Sequence, residues 1–176
     1  MPPASPIPRL VDVACERAAR LLDESRPSRE ALALLVGAAE AVAPSGSAAS
    51  ILVIDRDGLL RNAASPNLPG DYLSAIDRLR PDPAVGTCAA AAATGHVVVT
   101  RSFLSDAHWA ELRHLPLALG FRSAWSQPIL ASDQRVVGTF GTYFVDERVP
   151  SEVEQRAVQR LAQVAARALE ADASRP

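Results

Sequence analysis

Residues 121–145 read FRSAWSQPILASDQRVVGTFGTYFV. Two runs rich in β-branched and aromatic residues, 121–130 and 135–145, flank the polar Ser132-Asp133-Gln134. That pattern predicts two adjacent strands joined by a turn, and so a sheet that is antiparallel at this point. Just upstream, the alanines of 89–93 are closed by Gly95 and followed by His96-Val97-Val98-Val99-Thr100, a short helix feeding a further strand. Between the two, Ser105 or Asp106 can cap a helix running through Trp109, Leu112 and Leu115, with Pro116 to bend or end it and Gly120 to stop it.

Farther out, Ile51-Leu52-Val53-Ile54, the turn-forming Asp55-Arg56-Asp57-Gly58 and the run 59–64 read as a hairpin. A proline-punctuated connection over 66–85 has room for one short helix around 72–79 and, by its length, suits a site cover. Leu10, Val11, Ala14, Ala18, Leu21 and Leu22 recur at helical spacing, and Ser28 can cap a second helix over 31–42. After Pro150, Ser151 and Glu154 form a capping box that opens a last helix through Val153, Ala157, Leu161, Val164, Ala165 and Ala168. The order helix, helix, hairpin, mixed middle, hairpin, helix predicts an α+β domain on one antiparallel sheet of five to six strands. The expected boundaries are a flexible segment over 1–8, a single domain over 9–171 and a flexible tail over 172–176.

The 176 residues are 48% hydrophobic and 22% charged with a net charge of −2, which favours neither disorder nor a coat for nucleic acid. All basic residues are Arg, so Schiff-base and phosphate-loop lysine chemistry is excluded. Cys15 and Cys88 are far apart in sequence and unlike in setting, arguing against a disulfide framework and for a reducing cytoplasm. No run reaches the roughly 18 apolar residues of a membrane span. His96, His108 and His114 lack metal-ligand spacing, and no Gly-x-Ser-x-Gly elbow accompanies the serines. The expectation is a cytoplasmic protein without metal or cofactor.

More specific segments lie within 86–145. Gly86-Thr87-Cys88 precedes Ala91, Ala92 and Thr94-Gly95, and Val97-Val98-Val99 follows. Then come Asp106, Trp109, Ala110 and Arg113, the run Gly120-Phe121-Arg122-Ser123-Ala124-Trp125-Ser126-Gln127-Pro128-Ile129, and Val137-Gly138-Thr139-Phe140 with Tyr143. In order and spacing these resemble a bacterial GAF domain, the small-molecule sensor module found with PAS domains, histidine kinases and diguanylate cyclases. Ala89 stands where that family usually has glycine, and Gln134 where it usually has a turn glycine; the latter should cost about 1 kcal/mol or less.

The resemblance implies a sheet with the terminal helices on one face and, on the other, a pocket under loops and short helices. On that basis Cys88, Thr94, Asp106, Trp109, Arg113, Arg122, Trp125, Ser126, Phe140 and Tyr143 are the candidate ligand-binding residues. Each has a plainer reading. Trp109 and Trp125 can be pocket walls or core, with Trp125 the better ligand candidate. Arg113 and Arg122 can grip an anion or form an internal ion pair, for instance with Asp106 or Glu111. Cys88 can be a reactive thiol at a helix start or a buried inert one. Cys15 reads as helix packing.

The resemblance then implies a non-catalytic sensor of an unknown small molecule. The apolar stripes and many alanines of the first and last helices allow close helix approach and so predict a homodimer through those helices, acting on a separate signalling output protein, with neither nucleic acid nor membrane as partner. Two alternatives stand beside it. Free methionine sulfoxide reductases use the same fold with a Gly-x-Cys-Gly segment like that around Cys88, but they resolve the oxidised cysteine with further downstream cysteines, and no cysteine follows residue 88. The other alternative is an interaction-only domain whose pocket is filled by side chains.

Overall fold

A computed structural model of the chain describes residues 6–175. Two helices, α1 (Ile7–Asp23) and α2 (Ser28–Val42), lead into β1 (Ala48–Ile54) and β2 (Leu60–Ala64). The middle of the chain carries α3 (Gly70–Ala75), α4 (Cys88–Thr94), β3 (Val98–Thr100), a 3-10 turn at Ala107–Trp109 and α5 (His114–Ala118). The long strands β4 (Ser123–Leu130) and β5 (Val136–Phe144) and the helix α6 (Glu152–Ala173) complete it. The five strands pair antiparallel throughout in the order β2-β1-β5-β4-β3.

Register divides the sheet into two faces, because residues paired across antiparallel strands point the same way and neighbours along a strand point opposite ways. Rows Ala49–Thr142–Trp125 and Ile51–Phe140–Gln127 lie on one face. Rows Ala48–Tyr143–Ala124, Ser50–Gly141–Ser126 and Leu52–Thr139–Pro128 lie on the other. The first face is covered by α2 and α6, with Leu35, Val36, Leu161, Ala165 and Leu169 packed against Trp125, Phe140 and Phe144. Burying each large apolar side chain contributes about 1.5–3 kcal/mol, which makes this the main stabilising layer. Helix α1 packs on α2 and α6, forming a third layer that buries only Val11, Cys15 and Ala18.

The capping box opens α6 as the sequence requires: Ser151 Oγ accepts from the Glu154 N–H, and Glu154 Oε2 accepts from the Ser151 N–H at 2.7 Å. Both Arg148 Nη atoms donate to Glu154 at 2.8 Å, and the Arg148 guanidinium sits 4.4 Å from the centre of the Phe144 ring. The end of β5 is thereby tied to the start of α6.

Four local expectations differ from the structure. Ser28 lies inside α2 and donates to Asp172 Oδ1 at 2.7 Å instead of capping. The helix expected through Trp109 and Leu115 is split into the 3-10 turn and α5, where Pro116 falls in the first turn and needs no N–H donor. Of the lead-in expected over 1–8, residues 1–5 lie outside the described residues, and Ile7 and Pro8 already belong to α1. Of the tail expected over 172–176, Asp172 and Ala173 belong to α6, and residue 176 lies outside the described residues.

Candidate functional site

The second face of the sheet is covered by α3, α4, α5 and the loops between them, a lid of short pieces where the other face has long helices. Asp106 organises part of it. Its Oδ1 accepts from the His108 backbone N–H at 2.9 Å and lies 2.7 Å from His108 Nδ1. Burial pushes this carboxyl up, but the two His108 contacts and the Thr100 hydroxyl outweigh it and hold the group below its ordinary value. Arg113 then clasps the turn, its guanidinium donating to the main-chain carbonyls of Leu104, Asp106 and Trp109.

Held this way, Trp109 packs edge-on to Phe103 with ring centres 4.6 Å apart and donates from Nε1 to Thr100 Oγ1 at 3.1 Å. Gly86, with φ +58°, lies against the indole and donates to the His108 carbonyl at 2.7 Å, which fastens the start of α4 to the lid. From the other side Tyr72 of α3 reaches down to Tyr143 of β5, hydroxyl to hydroxyl at 2.8 Å, with the rings edge to face at 5.8 Å.

Between sheet and lid these side chains leave a cavity of about 20 Å³, walled by Leu52, Tyr72, Thr87, Cys88, Trp109 and Tyr143 among others. That is room for about one water-sized body. Larger clefts, up to about 410 Å³, open between the first hairpin and the end of α6, but Arg29, Asp55, Arg56 and Asp172 line them as solvated rims.

Cys88 stands at the first position of α4 with Sγ 2.8 Å from Ser126 Oγ. Burial drives its thiol pKa up, and the Ser126, Thr139 and Thr87 hydroxyls only partly offset that. Desolvation thus outweighs any pull from the helix start, and the thiol is held in its neutral, weakly nucleophilic form. Nearby, Ser50 Oγ and Thr139 Oγ1 are buried without a hydrogen-bond partner of normal geometry among the described residues. Cys15 sits in the helix layer across the sheet, its Sγ 4.0 Å from the Arg160 carbonyl.

The expected site residues therefore separate. Cys88, Trp109 and Tyr143 line the cavity, Ser126 backs Cys88, and Asp106 and Arg113 build the lid. Trp125 and Phe140, expected as pocket walls, instead face α2 and α6 in the main core, because strand alternation turns them away from Ser126 and Tyr143. Thr94 is exposed at the end of α4 and bonds back to the Ala90 carbonyl at 2.8 Å. Arg122 is exposed, and Arg113 bonds to carbonyls where an ion pair with Asp106 or Glu111 was the plainer expectation. Tyr72 was missed; its signal was a tyrosine inside the connection expected to cover the site.

This architecture has known counterparts. A family model described as GAF domain matches residues 25–170, and the chain belongs to that family. The match begins after α1. Among characterised proteins, the methyl sulfide methyltransferase-associated sensor of Methanosarcina acetivorans is 32% identical over 142 residues. That alignment takes in 80% of this chain but only 14% of the relative. The GAF domain of an Acinetobacter phosphoenolpyruvate-protein phosphotransferase superposes with a TM-score of 0.68 at 13% identity, covering 93% of this chain and 95% of that one. The free methionine-R-sulfoxide reductase of Neisseria meningitidis, solved with its substrate, gives 0.66 at 19% identity, covering 95% and 87%. Likeness at such identities extends to the fold alone.

Proposed function

We propose that the chain is a non-catalytic sensor domain that takes a small cytoplasmic molecule between sheet and lid and passes occupancy to its terminal helices. The observation that carries this reading is the cavity between a short-pieced lid and the strand that feeds α6. Tyr143 faces the cavity, its neighbour Phe144 faces the helix core, and Phe144, Arg148 and Glu154 link that strand to α6. A ligand that displaces Tyr143 thereby shifts the base of α6. The sensor named in the M. acetivorans relative is consistent with this role.

A non-catalytic role is supported by the neutral, buried Cys88 and by the position of Cys15 across the sheet. A metabolite screen by thermal shift tests the reading directly, since a specific ligand raises apparent stability by mass action. Thioredoxin-coupled turnover of free methionine sulfoxide, lost in Cys88→Ser, would replace it with the enzyme reading.

The same proposal takes the domain as a homodimer through α1 and α6, acting on a separate output protein. Support comes from α1 as an outer layer beyond the family match, with Leu10 and Val13 exposed on it and Val153 exposed on α6. Light scattering at micromolar concentration should give the mass of two chains, and a monomer would remove this part.

A further inference from the structure

We propose that the space between sheet and lid, taken as the ligand site argued above, admits a small neutral molecule bearing a hydrogen-bond acceptor and rejects carboxylates, phosphates and ammonium groups. The first ground is the wall. Leu52, Ile76, Leu79, Val85 and Leu112 meet the aromatic rings there, and no side chain that lines the cavity is charged at neutral pH. The nearest groups of the lid are already committed: Arg113 to main-chain carbonyls and Asp106 to His108. An ion entering would leave water with no countercharge to meet, a cost that far exceeds one hydrogen bond.

The second ground is a spare proton. The Tyr72 and Tyr143 hydroxyls are buried, and burial drives both pKa values upward, so both keep their protons. Two hydroxyls hold two protons, yet this pair shares a single hydrogen bond, and no other acceptor among the described residues bonds to either. One donor is left for whatever enters the cavity that both rings line. A cavity with a donor and no cation selects a ketone, amide, ester or ether oxygen. At about 20 Å³ the space holds little more than one water, so a larger molecule enters by displacing the lid, whose walls are short helices and loops.

The test uses the full chain with four probes of similar shape: acetophenone, ethylbenzene, benzoate and benzylammonium. Thermal shift and amide chemical shifts of residues around Cys88 and Tyr143 report binding. Acetophenone should bind about fivefold tighter than ethylbenzene, the worth of one ordinary hydrogen bond. Benzoate and benzylammonium should bind at least about a hundredfold more weakly. The double variant Tyr72→Phe/Tyr143→Phe removes both hydroxyls without orphaning either, and should erase the ketone preference while keeping ethylbenzene binding; Tyr72→Phe alone should keep it.

A charged probe binding as tightly as acetophenone overturns the inference and leaves the ligand-site reading standing. So does a ketone preference that survives the double variant. The charge comparison needs no variant. If neither neutral probe binds the native chain or Leu79→Ala, which widens the cavity, the ligand-site reading falls together with the inference.

Discussion

The same strands present two unlike faces. Toward the helices they carry Ile51, Trp125, Ile129, Phe140 and Phe144, each at most 1% exposed. Toward the lid they carry Ser50, Ser126, Thr139 and Gly141 beside Cys88. Buried polar atoms without partners do not separate the two, because among the described residues Trp125 Nε1 and Thr142 Oγ1 on the helix face are as unpaired as Ser50 and Thr139 on the other. What differs is the cover. Long helices meeting large side chains make one face a core, whereas on the other, short helices and loops cover a mixed set in which Ser50, Ser126, Thr139 and Gly141 lie beside Leu52 and Tyr143, the kind of cover expected at the less stable end of a fold.

A pair of glycines in β5 offers the sharpest way to break that contrast. A Cβ on Gly138 would stand 2.2 Å from the Leu52 carbonyl oxygen and 2.9 Å from Leu169, so the β1–β5 pairing or α6 must move. Gly138→Ala should cost more than about 3 kcal/mol by urea unfolding, or fail to fold. A Cβ on Gly141 would meet Cys88 Sγ at 3.0 Å and two serine hydroxyls at 3.3 Å, all side chains that can turn. Gly141→Ala should cost about 1–2 kcal/mol. Equal costs would mean the lid face is as rigid as the helix face.

The tryptophans repeat the comparison at smaller scale. Trp125→Ala should cost about 3–5 kcal/mol, as expected for a large aromatic in a core that cannot collapse. Trp109→Ala should cost less in the same urea titration, because the lid can settle into the gap.

Much of this was legible in the residues. The β4–β5 pair, the first hairpin and the capping box follow from local pattern, since each is set by residues close in sequence. The faces were half legible. Alternation alone forbids Trp125 and Ser126 from sharing a pocket, and likewise Phe140 and Tyr143; the larger set, Trp125, Phe140 and Phe144, marks the helix side. Two things had no local signal. Arg113 binds carbonyls, which every residue has, and Tyr72 meets Tyr143 across 71 positions.

Glu154 tests the link between the two faces. Burial raises its carboxyl, but Arg148 and the Ser151 cap outweigh that and hold it below its ordinary value of 4.5. A depressed folded pKa means stability that is fully present above pH 4.5 and lost as pH falls through the folded value. Glu154→Gln should therefore cost about 2 kcal/mol at pH 7 and flatten the stability profile below pH 4.5, measured by urea titration at each pH. An unchanged profile would remove Glu154 from the acid response and weaken the proposed path from Tyr143 to α6.

Gln134 supplies the control that lies away from the cavity under the lid. It turns the chain between β4 and β5 with φ +69°, where a Cβ is disfavoured, and its N–H closes the turn on the Ala131 carbonyl at 2.9 Å. Gln134→Gly relieves that strain but adds freedom to the unfolded chain, so the net gain should be about 0.5–1 kcal/mol. Acetophenone affinity should stay the same within error. If the stabilised variant instead bound the probe more weakly, opening of the lid would be coupled to stability of the whole sheet, and the two faces would no longer count as separable.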